Sequence, residues 1–145
     1  MVRDIEKEDR SEFITMVEEF YSSPAVVGHV SPDNFQTTFD VALDKSPFLR
    51  ALIIETDNQI GGYGLLSFTY SNEVGGMVVL FEEVYIREAH RGKGLAGEFF
   101  KFVESEYPSA KRFRLEVRHD NENAIRLYKK LGYRNLNYNQ MIKDI

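Results

Sequence analysis

VVLFEEVYIREAHRGKGLA, residues 78–96, joins a strand to a helix through a glycine turn. Val78, Val79, Leu80, Phe81, Val84, Tyr85 and Ile86 form an apolar, β-branched and aromatic run, the composition of a largely buried central strand. Arg87 to Arg91 carry the chain out of the sheet into Gly92-Lys93-Gly94, and Leu95, Ala96, Phe99, Phe100, Phe102 and Val103 open a helix. A helix N-terminus leaves N–H groups without internal acceptors and carries the positive end of the macrodipole, so this junction suits an anion, above all a phosphate. Two other phosphate motifs fit less well. Gly92 to Glu98 lacks the spacing and the final hydroxyl of a Walker loop. Gly92, Gly94 and Gly97 half-meet the dinucleotide fingerprint, but Glu116 and Asp120 do not stand ~20 positions on at the end of a second strand.

Working outward, Val2 to Ile5 reads as a short strand and Glu8 to Ser22 as an amphipathic helix with Phe13, Met16, Val17 and Phe20 on one stripe. Ser31-Pro32 caps a second helix that buries Phe35, Phe39 and Ala42. Phe48 to Glu55 and Ile60 to Tyr70 form a hairpin about Thr56-Asp57-Asn58-Gln59, and Asn72 to Gly76 turns into the central strand. Lys111 to Arg118 alternates Phe113, Leu115 and Val117 with charge, the pattern of a strand with one buried face. A helix carrying Tyr128 ends at Gly132, and Tyr133 to Asn137 with Met141 to Ile145 are expected to close the sheet as a final hairpin.

The turn contains R-x-x-G-x-A at Arg91, Gly94 and Ala96, which resembles the acetyl-CoA signature of the GNAT N-acetyltransferase superfamily. A second signature follows from Asn121 through Ala124, Leu127, Tyr128 and Gly132 to Tyr133, matching N-x-x-A-x-x-L-Y-x-x-x-G-[FY]. The two cover the stretch from Val78 to Tyr133, and the N-terminal half resembles the family in its order of elements. The resemblance implies an α+β, three-layer fold with a mixed, mainly antiparallel sheet of about seven strands and helices on both faces. It also implies acetyl-CoA as co-substrate, no metal, and an amine acceptor.

Composition agrees with one domain over residues 1–145, with 43% hydrophobic and 13% aromatic residues. A net charge of −5 argues against a general nucleic-acid or membrane-surface role. The absence of cysteine removes disulfides, thiolate nucleophiles and cysteine metal sites. No apolar run reaches the ~18 residues of a membrane span, and the charged N-terminus lacks an apolar signal core, so a soluble cytoplasmic protein is expected. His29, His90 and His119 lack metal-ligand spacing and read as surface residues.

Acyl transfer to an amine needs a phosphate site, a grip on the pantetheine arm, a base for the arriving ammonium and an acid for the departing thiolate. By resemblance, Gly92, Lys93, Gly94, Leu95 and Ala96 hold the diphosphate with Arg91 adding charge, although Lys93 is equally a solvated lysine. The resemblance also gives the central strand a bulge and a splay, with main-chain groups of Val84 and Ile86 pairing the pantetheine amides. Asn121 matches a position that bonds the cofactor arm, and it also suits an N-cap. Tyr128 is the expected general acid, because a phenol of pKa ~10 is protonated at neutral pH. Glu82 and Glu83 interrupt an apolar strand and are the candidate bases, with Glu116 a further alternative. Simple alternation would group Glu82 with Val84 and Ile86, but a bulge shifts that parity; the resemblance favours Glu82. The expected reaction acetylates a primary amine of a small molecule by direct attack. A protein lysine or N-terminus as acceptor, or a non-catalytic acyl-CoA-binding module, are the alternatives, and the resemblance allows a homodimer.

Overall fold

Asp57 and Asn58 adopt left-handed conformations (φ 51° and 59°) between the paired residues Thr56 and Gln59. Two such residues make the tight hairpin turn whose twist matches the strands it joins. In the computed structural model, which describes residues 1–145, this turn links β2 (Leu49–Thr56) to β3 (Gln59–Ser71). β1 (Val2–Asp4) adds to the far side of β2, and β4 (Gly76–Ile86) pairs antiparallel with β3. β5 (Arg112–Leu115) lies parallel to β4, completing the order β1-β2-β3-β4-β5.

Two helical layers cover this sheet. α1 (Arg10–Tyr21) and α2 (Pro32–Leu43) press Phe13, Met16, Val17, Phe35 and Phe39 against Ala51, Ile53, Tyr63, Leu65 and Tyr85. On the other face, α3 (Leu95–Glu106) packs Phe99, Phe100 and Val103 against Leu52, Leu66, Val79 and Phe81. A Cβ on Gly64 would stand 2.0 Å from Phe99 Cζ, so glycine is what lets α3 lie this close to β3. α4 (Glu122–Lys130) joins the same layer through Tyr128 and Leu131, next to α3. Arg3 fastens β1 by donating to both oxygens of the buried Asp9 (2.7 and 2.9 Å) and to Glu55 (2.7 Å).

The class is α+β with a mixed sheet, but with five strands and four α-helices instead of about seven strands. The two strands of the expected final hairpin account for the difference, and one further strand is shorter than expected. The strand expected over Lys111 to Arg118 stops at Leu115, because β4 leaves it after Phe81 and gives Glu116 to Arg118 no partner. The final hairpin is absent: residues 133–145 form no strand, and Asn135, Asn137, Asn139 and Gln140 interleave poor strand formers with the apolar side chains. No helix is long and apolar enough to cross a membrane.

Candidate active site

A single inserted residue in β4 organises the site. Leu65 lies opposite Glu83 and Leu66 opposite Phe81, so Glu82 is extra and forms a β-bulge. The bulge cancels simple alternation. Glu82 and Glu83 both line one pocket on the α1/α2 face, while Val84 and Ile86 pack on the α3 face.

At the same point β4 and β5 part. Their pairing runs from Val78 opposite Arg112 to Phe81 opposite Leu115 and then ends. Arg87 N–H donates to Gly61 C=O (2.9 Å), which fixes the alternation of the antiparallel ladder. Tyr85 and Tyr63 then form a hydrogen-bonded pair, whereas Val84 and Ile86 turn their N–H and C=O groups away from β3 into the gap left by β5. Of these groups, the Ile86 carbonyl accepts a hydrogen bond from Arg91 Nε (2.9 Å). The rest are an open edge able to pair with an amide-bearing ligand.

Glu83 is held from both sides. Tyr21 Oη donates to one carboxylate oxygen (2.6 Å) and Tyr63 Oη to the other (2.6 Å). Burial pushes the Glu83 carboxyl up from its ordinary value; the two phenols act in the opposite direction, and the charge of Glu82 adds to the rise. Burial and the bond to Glu83 raise Tyr21 and Tyr63 in turn, so both remain protonated donors. Glu82 is exposed and accepts from Ser67 Oγ (2.6 Å). The pocket these carboxylates face encloses about 310 Å³ between α1, α2 and the sheet, with Phe13, Val17, Phe35 and Leu65 among its apolar walls. It can take an alkyl group ending in a cation.

The glycine turn has the geometry of an anion cradle. Gly92 and Gly94 take left-handed conformations (φ 76° and 82°), and α3 starts directly after Gly94. None of the N–H groups from Gly92 to Gly97 has an acceptor in a turn, loop or cap; the first satisfied donor of the helix is Glu98, to Gly94 C=O (3.0 Å). A Cβ on Gly92 or Gly94 would meet nothing within 4 Å, so the space in front of these amides is open. Leu95 is buried under the helix, leaving its backbone N–H and that of Ala96 at the helix end. Arg91 folds back over the Tyr85 ring (5.8 Å) as well as onto Ile86, and Lys93 pairs with Asp57 (3.6 Å) at the rim.

Tyr128 lies on the opposite face of the sheet from Glu83, edge-on to Phe100 (5.5 Å between ring centres). Burial raises its phenol above the ordinary value, which keeps the proton on it at neutral pH. Asn121 serves as N-cap of α4, its Oδ1 accepting from Ala124 N–H (3.3 Å). Glu116 is exposed beyond the end of β5. His29 and His119 are exposed as expected, but His90 is half-buried with its Nδ1 unpartnered and its ring against Gly61. No three His, Asp or Glu side chains gather at metal-binding spacing.

The bulge therefore brings Glu82 and Glu83 together, and Val84 and Ile86 with the glycine turn border the gap beside β4. The phenols that hold Glu83 were missed by the sequence reading. Tyr63 sits two places from Leu65, the residue opposite Glu83, so only the strand register could have revealed it.

Comparison with known proteins points one way. The model of the family described as Acetyltransferase (GNAT) family matches residues 8–133. A thialysine N-epsilon-acetyltransferase from Sus scrofa is 33% identical over 102 residues, 63% of this chain; the chain spans 59% of that protein's length. Among solved structures, a possible acetyltransferase from Clostridium difficile 630 superposes with a TM-score of 0.84 at 15% identity, covering 100% of this chain and 97% of that one. A predicted acetyltransferase with acetyl-CoA from Clostridium acetobutylicum gives 0.79 at 16% identity, covering 99% and 95%.

Proposed function

The chain belongs to the acetyltransferase (GNAT) family, and from that premise we propose that it moves the acetyl group of acetyl-CoA to a primary amine carried on a small alkyl chain. The observation that carries this reading is the bulge at Glu82. The same inserted residue turns two carboxylates into the α1/α2 pocket where the pairing with β5 ends, leaving Val84 and Ile86 without a strand partner on that side. Acetyl-CoA supplies an activated acetyl thioester. The N–H groups of Gly92 to Ala96 hold its diphosphate at the positive end of α3, and Val84 and Ile86 pair its amide-bearing arm. The fit rests on the unsatisfied amides and the open space before Gly92 and Gly94.

Glu83 acts as the base. An alkyl amine of pKa near ~10.4 arrives as ammonium, and a carboxylate raised by burial and aimed by two phenols is suited to accept its proton. Glu82, one residue away and solvent-exposed, attracts the cation to the pocket mouth. Tyr128, protonated and on the other side of the gap, supplies the proton the departing thiolate needs. Arg91 works through its bond to Ile86, shaping the edge, and Asn121 through the start of α4. The pocket's apolar walls and acidic end favour a small cationic amine over an extended peptide, and the relatives' naming for a thialysine ε-amine points the same way.

The test is thiol release from acetyl-CoA in the presence of diamines, lysine analogues, aminoglycosides and lysine peptides, with acetyl-CoA binding followed by calorimetry. Turnover on alkyl diamines or lysine analogues is expected. Binding without turnover on any of these amines would overturn the acceptor assignment, and no binding would overturn the cradle.

A further inference from the structure

The α1/α2 pocket has two unlike sides. Glu82 and Glu83 line it from the sheet, whereas α2 contributes Asn34 and Thr38 on either side of Phe35 in sequence. Their four-residue spacing puts both on one face of the helix, with Cβ atoms about 5–6 Å apart. Asn34 is exposed and Thr38 half-buried, so the pair runs from the pocket mouth inward.

Neighbouring polar side chains on these helices are committed. Gln36 and Asp40 accept from Arg10 of α1, and Thr37 returns its hydroxyl to Asp33 C=O (3.1 Å), as Thr15 does to Ser11 C=O (2.9 Å). Thr38 makes no such bond, and the Asn34 amide has no partner in the protein either. Each therefore leaves a donor and an acceptor free in the pocket lining. That lining holds no Lys, Arg or His, so nothing in it would neutralise an acid on the ligand. A terminal carboxylate would add a third negative charge to those of Glu82 and Glu83. A terminal methyl group would strip water from Asn34 and Thr38 and replace none of their hydrogen bonds. Only a neutral group that both donates and accepts meets both conditions. Resting on the acetyl-transfer reading above, we propose that Asn34 and Thr38 select the acceptor by its far end, which carries a hydroxyl or carboxamide and no carboxylate. The apolar walls take the methylenes between that end and the amine.

Four primary amines of similar span test this: aminopentanol, hexylamine, pentane diamine and aminohexanoate. In thiol release from acetyl-CoA, aminopentanol should exceed hexylamine in kcat/KM by about tenfold, with aminohexanoate the poorest. The aminopentanol-to-hexylamine ratio cancels any general loss of fold or catalysis, so it is the quantity followed in variants. Thr38→Val keeps the shape of the side chain and should bring the ratio close to one. Asn34→Leu should lower it as well, and Thr38→Ser should retain it. A ratio near one in the unmodified protein, or one that survives both Thr38→Val and Asn34→Leu, would overturn the assignment. So would a lead of pentane diamine over aminopentanol, since the far end would then be read for charge. Calorimetry with the same amines in the presence of CoA separates this proposal from the reaction it rests on. Tighter binding of aminopentanol than of hexylamine without turnover of either would remove the acetyl transfer and keep the far-end selection; equal turnover of both would do the reverse.

Discussion

β4 is one strand with two characters. Ahead of the bulge, Val78 to Phe81 is paired on both sides, and Val78, Val79 and Phe81 are each exposed by 3% or less. Behind it, Glu82 to Ile86 is paired with β3 alone, and two carboxylates replace apolar side chains on the pocket face. The first half commits its hydrogen bonds and side chains to the sheet; the second leaves both available. An open ladder edge and a partly buried carboxylate are poor choices for stability and useful ones for binding and proton transfer. One inserted residue separates the two tasks.

The comparison breaks first if the halves respond alike to mutation. Phe81 stacks on Phe100 (4.3 Å) and meets Phe99 (6.1 Å), so Phe81→Ala should cost about 3–5 kcal/mol in denaturant unfolding. A loss below about 1 kcal/mol would mean that the paired half is not the scaffold described here. Glu83→Gln should do the reverse, lowering turnover by at least about 100-fold while leaving the fold intact. Its folded pKa is raised, so the stability it contributes is present at low pH, where it is protonated, and is lost as pH rises through the folded value. At neutral pH the neutral amide therefore removes a cost, and the unfolding midpoint should not fall. A drop in stability with activity preserved would make Glu83 a structural carboxylate.

Gly94→Ala sharpens the contrast at the far end of the strand. The left-handed conformation opposes a side chain by about 1 kcal/mol, although nothing in the protein would touch the new methyl group. Acetyl-CoA affinity, read by calorimetry, should fall by more than that strain explains, about 10-fold or beyond. An unchanged affinity would place the diphosphate elsewhere.

The division of β4 was only half legible in the sequence. The apolar run from Val78 to Phe81, the glycine turn and the helix of Phe99 and Phe100 are local patterns, and each formed where periodicity placed it. The resemblance supplied the splay and favoured Glu82, while the break in the apolar run marked both carboxylates. Neither could assign their faces, because a bulge is a relation between two strands and Leu65 and Leu66 carry no mark of it. The same limit hid Tyr63 and Tyr21, which come to Glu83 from β3 and α1, across 20 and 62 positions of chain. The terminal strands failed for a related reason. Leu136 and Tyr138 have strand periodicity, but periodicity states which face would be buried and not which edge receives it.

The finest test lies in those tyrosines. Burial is the largest influence on Glu83 and raises it, while the hydrogen bonds from Tyr21 and Tyr63 favour the ionised form and lower it. Tyr21→Phe removes one of those donors and keeps the ring against Phe35 (4.9 Å), so the pocket wall survives. The carboxyl must then move further up. If Glu83 is the base, the acidic limb of kcat/KM, which reports groups of the free enzyme, shifts to higher pH while the plateau above it is retained. A limb that stays in place would detach Glu83 from the proton transfer. A lost plateau with an unmoved limb would instead give Tyr21 a direct hold on the acceptor. The paired half of β4 offers no equivalent, since no titrating group there faces a pocket, and a pH profile that responds only behind the bulge is what the two characters of this strand require.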